Sequence, residues 1–147
     1  VASITESITI QRSPDEVFAF VSNYENDPSW RAGVAEMRQD PPGPVRGGAR
    51  TREVIRFMGR DLVTTATVTV EQPGRRVAFR SDSGPIPARG YREVAGRGEE
   101  TTFTYHLTAE LSGLYQLLEP MIVRDFRRRV ASDLARIKGL LEGGRIR

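Results

Sequence analysis

Two glutamates stand where the surrounding pattern asks for apolar side chains. In "ITESITI" Glu6 shares a strand face with Ile4 and Ile8, and in "TREVIRF" Glu53 shares one with Ile55 and Phe57. A carboxylate on such a face can anchor a polar group or act as a general base, since burial raises its pKa. It can equally close a structural ion pair with Arg52, Arg92 or Arg124, or be turned outward by a local bulge. Two phenols add to this chemistry. Tyr105 and Tyr91 each offer an apolar body with a hydrogen-bonding tip, suited to a cavity wall. Glu6, Glu53 and Tyr105 are therefore the candidate catalytic groups.

The remaining inventory excludes more than it offers. The chain has no Cys, which removes disulfides, thiol nucleophiles and Cys-ligated metal centres. Its single His, His106, cannot build a multi-His metal site, and neither a metal nor a cofactor is expected. Strand alternation puts His106 on the solvent face with Thr102, Thr104 and Thr108. Only Lys138 among 22 basic residues is a lysine, so there is no lysine cluster, although one amine could still form a Schiff base.

These groups must be positioned by a recognisable series of elements. "ASITESITI" alternates as a strand, and "SPDEVFAFVSN" then opens with Ser13, Pro14 and Glu16 in the pattern of a capping box. Asn23 is its expected stop, and "NDPSWRAG" reads as a turn or second short helix ending at Trp30, the only tryptophan. Further strands are read in "VAEMRQD", "ARTREVIRF", "DLVTTATVTVE", "RVAFRSD", "SGPIPARGYREVAG" and "TTFTYHLTAEL". With the first strand they make about seven, joined mostly by short turns, as in an antiparallel meander. Leu118, Ile122, Phe126, Val130, Leu134, Ile137 and Leu141 then recur at helical spacing. Pro120 starts or kinks that helix and Gly143 with Gly144 ends it, giving a length on the order of 35 Å.

At 147 residues, 38% hydrophobic and 28% charged, the chain reads as one globular domain spanning 1–147. No apolar run approaches a bilayer span, and "VASITESITI" lacks the pattern of a signal peptide, so a cytoplasmic location is expected. A curved sheet covered by a single helix about 10 Å across leaves space on its concave side. Strand parity turns Phe103, Tyr105 and Leu107 toward that space, with Leu62, Thr64, Ala66, Val68 and Val70 from the longest strand. Val77 and Phe79 join them, bringing Ser81.

The order of elements resembles the START and pollen-allergen superfamily (SRPBCC), particularly its bacterial polyketide cyclase/dehydrase-like branch. The resemblance rests on "ITIQRSPDEVFAFVSNYENDPSW", on "VRGGARTREVIRFMGRDLVTTATVTVEQPGRRVAFRS", and on "EETTFTYHLTAEL" followed by the long amphipathic helix. Where that family usually has Gly-Thr before the last strand, this chain has Glu100-Thr101. The resemblance implies an α+β helix-grip fold: a curved antiparallel sheet wrapped around a long C-terminal helix, with two short helices after the first strand. It also implies a cavity for a lipid, polyketide or related aromatic compound, with Trp30 at its mouth. The family follows no single catalytic motif, so no catalytic residue carries over.

Ligand contacts are accordingly expected at Trp30, Ile55, Phe57, Thr64, Phe79, Tyr91, Phe103, Tyr105, Met121 and Phe126. Trp30 can alternatively pack over the first helix, Tyr105 can be plain core, and Met121, Met58 and Met37 can be gap fillers. Three functions follow: a binding protein for a hydrophobic small molecule, a cofactor-free aromatase/cyclase using general acid/base groups, or an interaction module. The last would use Arg124, Arg127, Arg128 and Arg129, either a solvated helix face or a patch for an acyl-carrier protein or anionic surface. The one aromatic residue within that run, Phe126, belongs to the apolar stripe of the helix, which argues against nucleic acid.

Overall fold

Local sequence sets the first turn of the chain. In a computed structural model describing residues 1–143, β1 (Ala2–Ile10) runs into Ser13, whose hydroxyl accepts the Glu16 amide while Glu16 reaches back to the Ser13 amide. This reciprocal cap, with Pro14 in the first turn, starts α1 (Pro14–Val21). The helix ends at Ser22, one residue before the stop expected at Asn23. Asn23 instead caps a 3-10 segment, Tyr24–Ser29, by accepting the Glu25 amide. Val17 and Val21 of α1 are fully buried, which is what holds so short a helix in place.

Six strands follow: β2 (Val34–Asp40), β3 (Gly48–Phe57), β4 (Arg60–Gln72), β5 (Arg76–Ser83), β6 (Ala88–Arg97) and β7 (Glu100–Ala109). They form one antiparallel sheet with β1, in the order β1-β7-β6-β5-β4-β3-β2. Every link from β2 to β7 is a meander connection, so short turns suffice. Met58 and Gly59, both at positive φ, make the two-residue turn between β3 and β4. β6 begins only at Ala88, because Pro85 and Pro87 cannot donate to a ladder.

A short α2 (Leu114–Leu117) leads into α3 (Glu119–Gly143), which carries Pro120 in its first turn and no break after it. Ile122, Val130, Leu134 and Ile137 are the buried members of its apolar stripe. The expected stop at Gly144 lies outside the described residues. The molecule has the helix-grip architecture, α3 being packed on the concave face of the sheet with the short helical pair after β1. No helix among the described residues is long and apolar enough to cross a membrane.

The buried side chains form two clusters. The larger gathers Val17, Val21, Trp30, Val68, Phe103, Leu134 and Ile137. The smaller gathers Phe57, Leu111 and Ile122, with Leu62, Ile86, Tyr115 and Phe126 against them. Between the two lies a gap bordered by residues of both.

Candidate functional site

That gap is a cavity of about 120 Å³. Toward the β3–β4 turn and the start of α3 its wall is Ile55, Phe57, Leu62, Ile86 and Phe126. Phe126 stacks on Phe57 with ring centroids 5.1 Å apart and planes 3° from parallel. Phe79 enters the wall because its register partner on β6 is Gly90. A Cβ at Gly90 would fall 2.0 Å from the His106 carbonyl oxygen and 2.8 Å from Phe79 Cζ, so no larger residue fits there.

The other end is polar. Arg92, 1% exposed, donates from both terminal nitrogens to Asp27, at 2.9 and 2.6 Å, and also to the Val21 carbonyl at 2.9 Å. Its guanidinium lies 3.8 Å from the centre of the Tyr24 ring. Arg31 bridges two carboxylates through one nitrogen, Nη1, reaching Asp27 at 2.9 Å and Glu53 at 2.7 Å. Burial by itself would lower the pKa of both arginines; for Arg92 the Asp27 carboxylate, and for Arg31 the neighbouring Tyr105, Glu53 and Asp27, more than offset it and raise the pKa above its ordinary value. Burial likewise pushes the Tyr24 phenol up, so it stays protonated. Its hydroxyl, Arg92 Nε and Trp30 Nε1 are buried without a hydrogen-bond partner among the described residues.

α3 holds this end shut. Asp133 accepts the Ala32 amide at 3.2 Å, and Arg136 donates to the Trp30 carbonyl at 2.9 Å and to Asp133 at 3.0 Å. Burial raises the Asp133 pKa despite the opposing pull of the Ala32 amide and of Arg31 and Arg136. A smaller hollow of about 30 Å³ lies behind Tyr105 and Arg31, with Trp30, Val130 and Asp133 in its wall.

Of the residues singled out in the sequence, Glu53, Ile55, Phe57, Thr64, Phe79, Tyr105 and Phe126 line the cavity. Four expected contacts lie elsewhere. Trp30 is not at a mouth: it is 1% exposed, edge-on to Phe103 and Tyr105, and borders only the smaller hollow. Phe103 is solid core one layer deeper, paired across the sheet with Ile8 and Val94. Tyr91 is on the outer face, because its partner in the ladder is His106, and the two rings stack at 4.9 Å with Arg76 over Tyr91. Met121 is half exposed on the first turn of α3.

Glu6 points at α3 but stays outside the cavity wall, 3.8 Å from Arg127. The partners expected for the two glutamates, Arg52, Arg92 and Arg124, thus give way to Arg127 for Glu6 and Arg31 for Glu53. In the rest of the arginine run, Arg129 is taken up by Asp125 and the Arg56 carbonyl, while Arg124 and Arg128 are exposed. Tyr24, Arg31 and Arg92 are wall residues that the sequence reading misses. For Arg92 the signal is present: it is two residues from Val94, an apolar strand position whose face it must share.

Residues 1–142 match the family described as polyketide cyclase / dehydrase and lipid transport. Among solved structures, a protein from Thermus thermophilus is 18% identical with a TM-score of 0.83, over 97% of this chain and 98% of that one. The Zhui aromatase/cyclase from Streptomyces sp. R1128 is 15% identical with a TM-score of 0.77, over 99% and 95% respectively. A START superfamily protein from Mycobacterium smegmatis is 16% identical with a TM-score of 0.68, over 97% and 96%. At such identities the likeness concerns the fold. No curated protein matches the sequence.

Proposed function

The chain belongs to the polyketide cyclase / dehydrase and lipid transport family, and from that premise we propose that it encloses a hydrophobic small molecule between its sheet and α3. The observation that carries this reading is the cavity itself, apolar along most of its wall and polar at one end. A single aromatic ring buries on the order of 150–250 Å². At ~25 cal/mol per Å² that contributes roughly 4–6 kcal/mol, enough for weak affinity by burial alone. The 120 Å³ available is below the ~300–1,000 Å³ of drug-sized pockets and close to that of an engineered cavity that accepts benzene. The ligand, or the part of it held inside, is accordingly about one ring in size.

Ala66 lies on β4 in the cavity wall. Ala66→Phe puts a ring into the space a ligand would use, so benzene or toluene binding, followed by calorimetry, should vanish while the fold is kept. Binding that survives this filling, with the far-UV spectrum unchanged, overturns the reading.

Glu53, Tyr105 and Arg31 converge on the cavity, and this favours a second reading, a cofactor-free cyclase of a short poly-β-ketone. Glu53 would take a proton from a methylene between two carbonyls and Arg31 would stabilise the enolate oxygen; the enolate carbon would then attack a ketone further along the chain, and the proton would return to the new alkoxide. Loss of turnover on Glu53→Gln, with ligand affinity retained, is the outcome expected of an enzyme. Unchanged turnover removes this reading.

A further inference from the structure

We infer that the polar end of the cavity selects an uncharged hydrogen-bond acceptor, a carbonyl-type oxygen on an apolar body, and rejects carboxylates. This rests on the ligand-binding reading above and specifies the ligand class of that same site.

The first support is donor geometry. Arg31 spends only Nη1 on Asp27 and Glu53; its Nε and Nη2 donate to no group among the described residues, and the side chain is 14% exposed. A guanidinium carries five N–H donors in a rigid fork, so those left over keep fixed directions. Arg31 borders both the main cavity and the smaller hollow, and so does Tyr105, whose hydroxyl also has no partner among the described residues. Tyr24 lines the same end with its hydroxyl unpaired. Each of these groups can donate, while both oxygens of Asp27 and Oε2 of Glu53 are already engaged by arginines, which leaves Glu53 Oε1 as the one carboxylate oxygen without such a partner among the described residues. Of these groups only the Tyr24 hydroxyl is fully buried without a partner; the spare donors of Arg31 and Tyr105 border open space, and a ligand oxygen placed there gains hydrogen bonds to them.

The second support is charge. Two guanidinium groups, Arg31 and Arg92, face two carboxylates, Asp27 and Glu53, in contact. Asp133, at the back of the smaller hollow, is matched by Arg136. No positive charge is left over for an anion, so a carboxylate entering here would lose its hydration without gaining a counter-ion. A ketone, quinone or lactone oxygen loses far less and still receives the donors.

Acetophenone, ethylbenzene and benzoate present a carbonyl, a bare hydrocarbon and an anion on the same ring, and calorimetry or NMR titration ranks them. Acetophenone should bind about tenfold tighter than ethylbenzene, the worth of one net hydrogen bond to a charged donor, and benzoate should bind weakest. Arg31→Lys keeps the charge but loses the spare fork, so acetophenone's advantage should fall while ethylbenzene binding is unchanged. Glu53→Gln leaves one positive charge unmatched, so benzoate should gain affinity. Ethylbenzene binding as tightly as acetophenone, or benzoate binding tightest to the unaltered protein, overturns the inference while leaving the cavity reading intact. Binding by none of the three overturns both. The ranking on the unaltered chain decides the matter even if a variant does not fold.

Discussion

Arg92 is the residue on which the polar end depends. It is fully buried, and its charge is acceptable there only because Asp27 takes two of its hydrogen bonds and Val21 a third. Breaking such a pair from one side strands a charge: Arg92→Met should cost on the order of 3–5 kcal/mol, read from urea unfolding. Asp27→Asn combined with Arg92→Met should cost less than the sum of the two single changes, because the stranded charge is gone. A strictly additive double variant would show that the pair is not coupled. The pair also marks what the sequence hides. Strand parity from Val94 points Arg92 inward, but its counter-ion is 65 residues away in a 3-10 segment, and no local pattern joins them. An inward Tyr91 fails for the complementary reason: an aromatic ring suits a cavity wall by composition, whereas here it covers His106 on the outer face.

At the level of elements, the legible features are those set by local chemistry. The capping box marks the start of α1, and the alternating Val and Thr residues mark β4. Less legible is how α3 clasps the loop after the 3-10 segment, since Asp133 and Arg136 look like ordinary polar positions of an amphipathic helix. In the fold they reach the Ala32 amide and the Trp30 carbonyl and so close the back of the smaller hollow. The clasp carries a pH dependence. Burial raises the Asp133 pKa above its ordinary 3.8, so the folded chain holds that proton to higher pH than the unfolded chain does. The native state therefore binds more protons within that window, and this group's contribution to stability falls as pH rises through it. Asp133→Asn keeps an acceptor for Ala32 and cannot ionise. Its stability relative to the unaltered protein should be higher at pH 7 than at pH 3, as measured by urea midpoints across that range. The opposite slope would mean that the charge on Asp133, through Arg136, is a net gain to the fold.

In the molecule as a whole, little free space lies between the sheet and α3, and Phe126 stands where that space is divided. The helix-grip arrangement is legible from element order, because a curved meander with a single covering helix must leave part of its concave face open. The size of that opening is not legible, since it depends on how far each half-buried ring leans inward. With Leu107 of β7, Phe126 borders the main cavity, the smaller hollow behind Tyr105 and a third of about 10 Å³ beside Ile122, so its ring forms one side of the partition among them. It is held by stacking on Phe57. Phe126→Ala removes that side of the partition and should join the three spaces, at a stability cost of about 3 kcal/mol or less, since the ring is only half buried. The enlarged space should take a two-ring guest such as naphthalene more tightly than the unaltered protein does, while benzene, now loosely held, should bind more weakly. Both shifts can be read by calorimetry on the same two proteins. If naphthalene gains nothing, the neighbours have collapsed into the gap, and Phe126 fills space without setting the size of the guest. If it gains, the limit of about one ring is imposed by a single side chain at the start of α3.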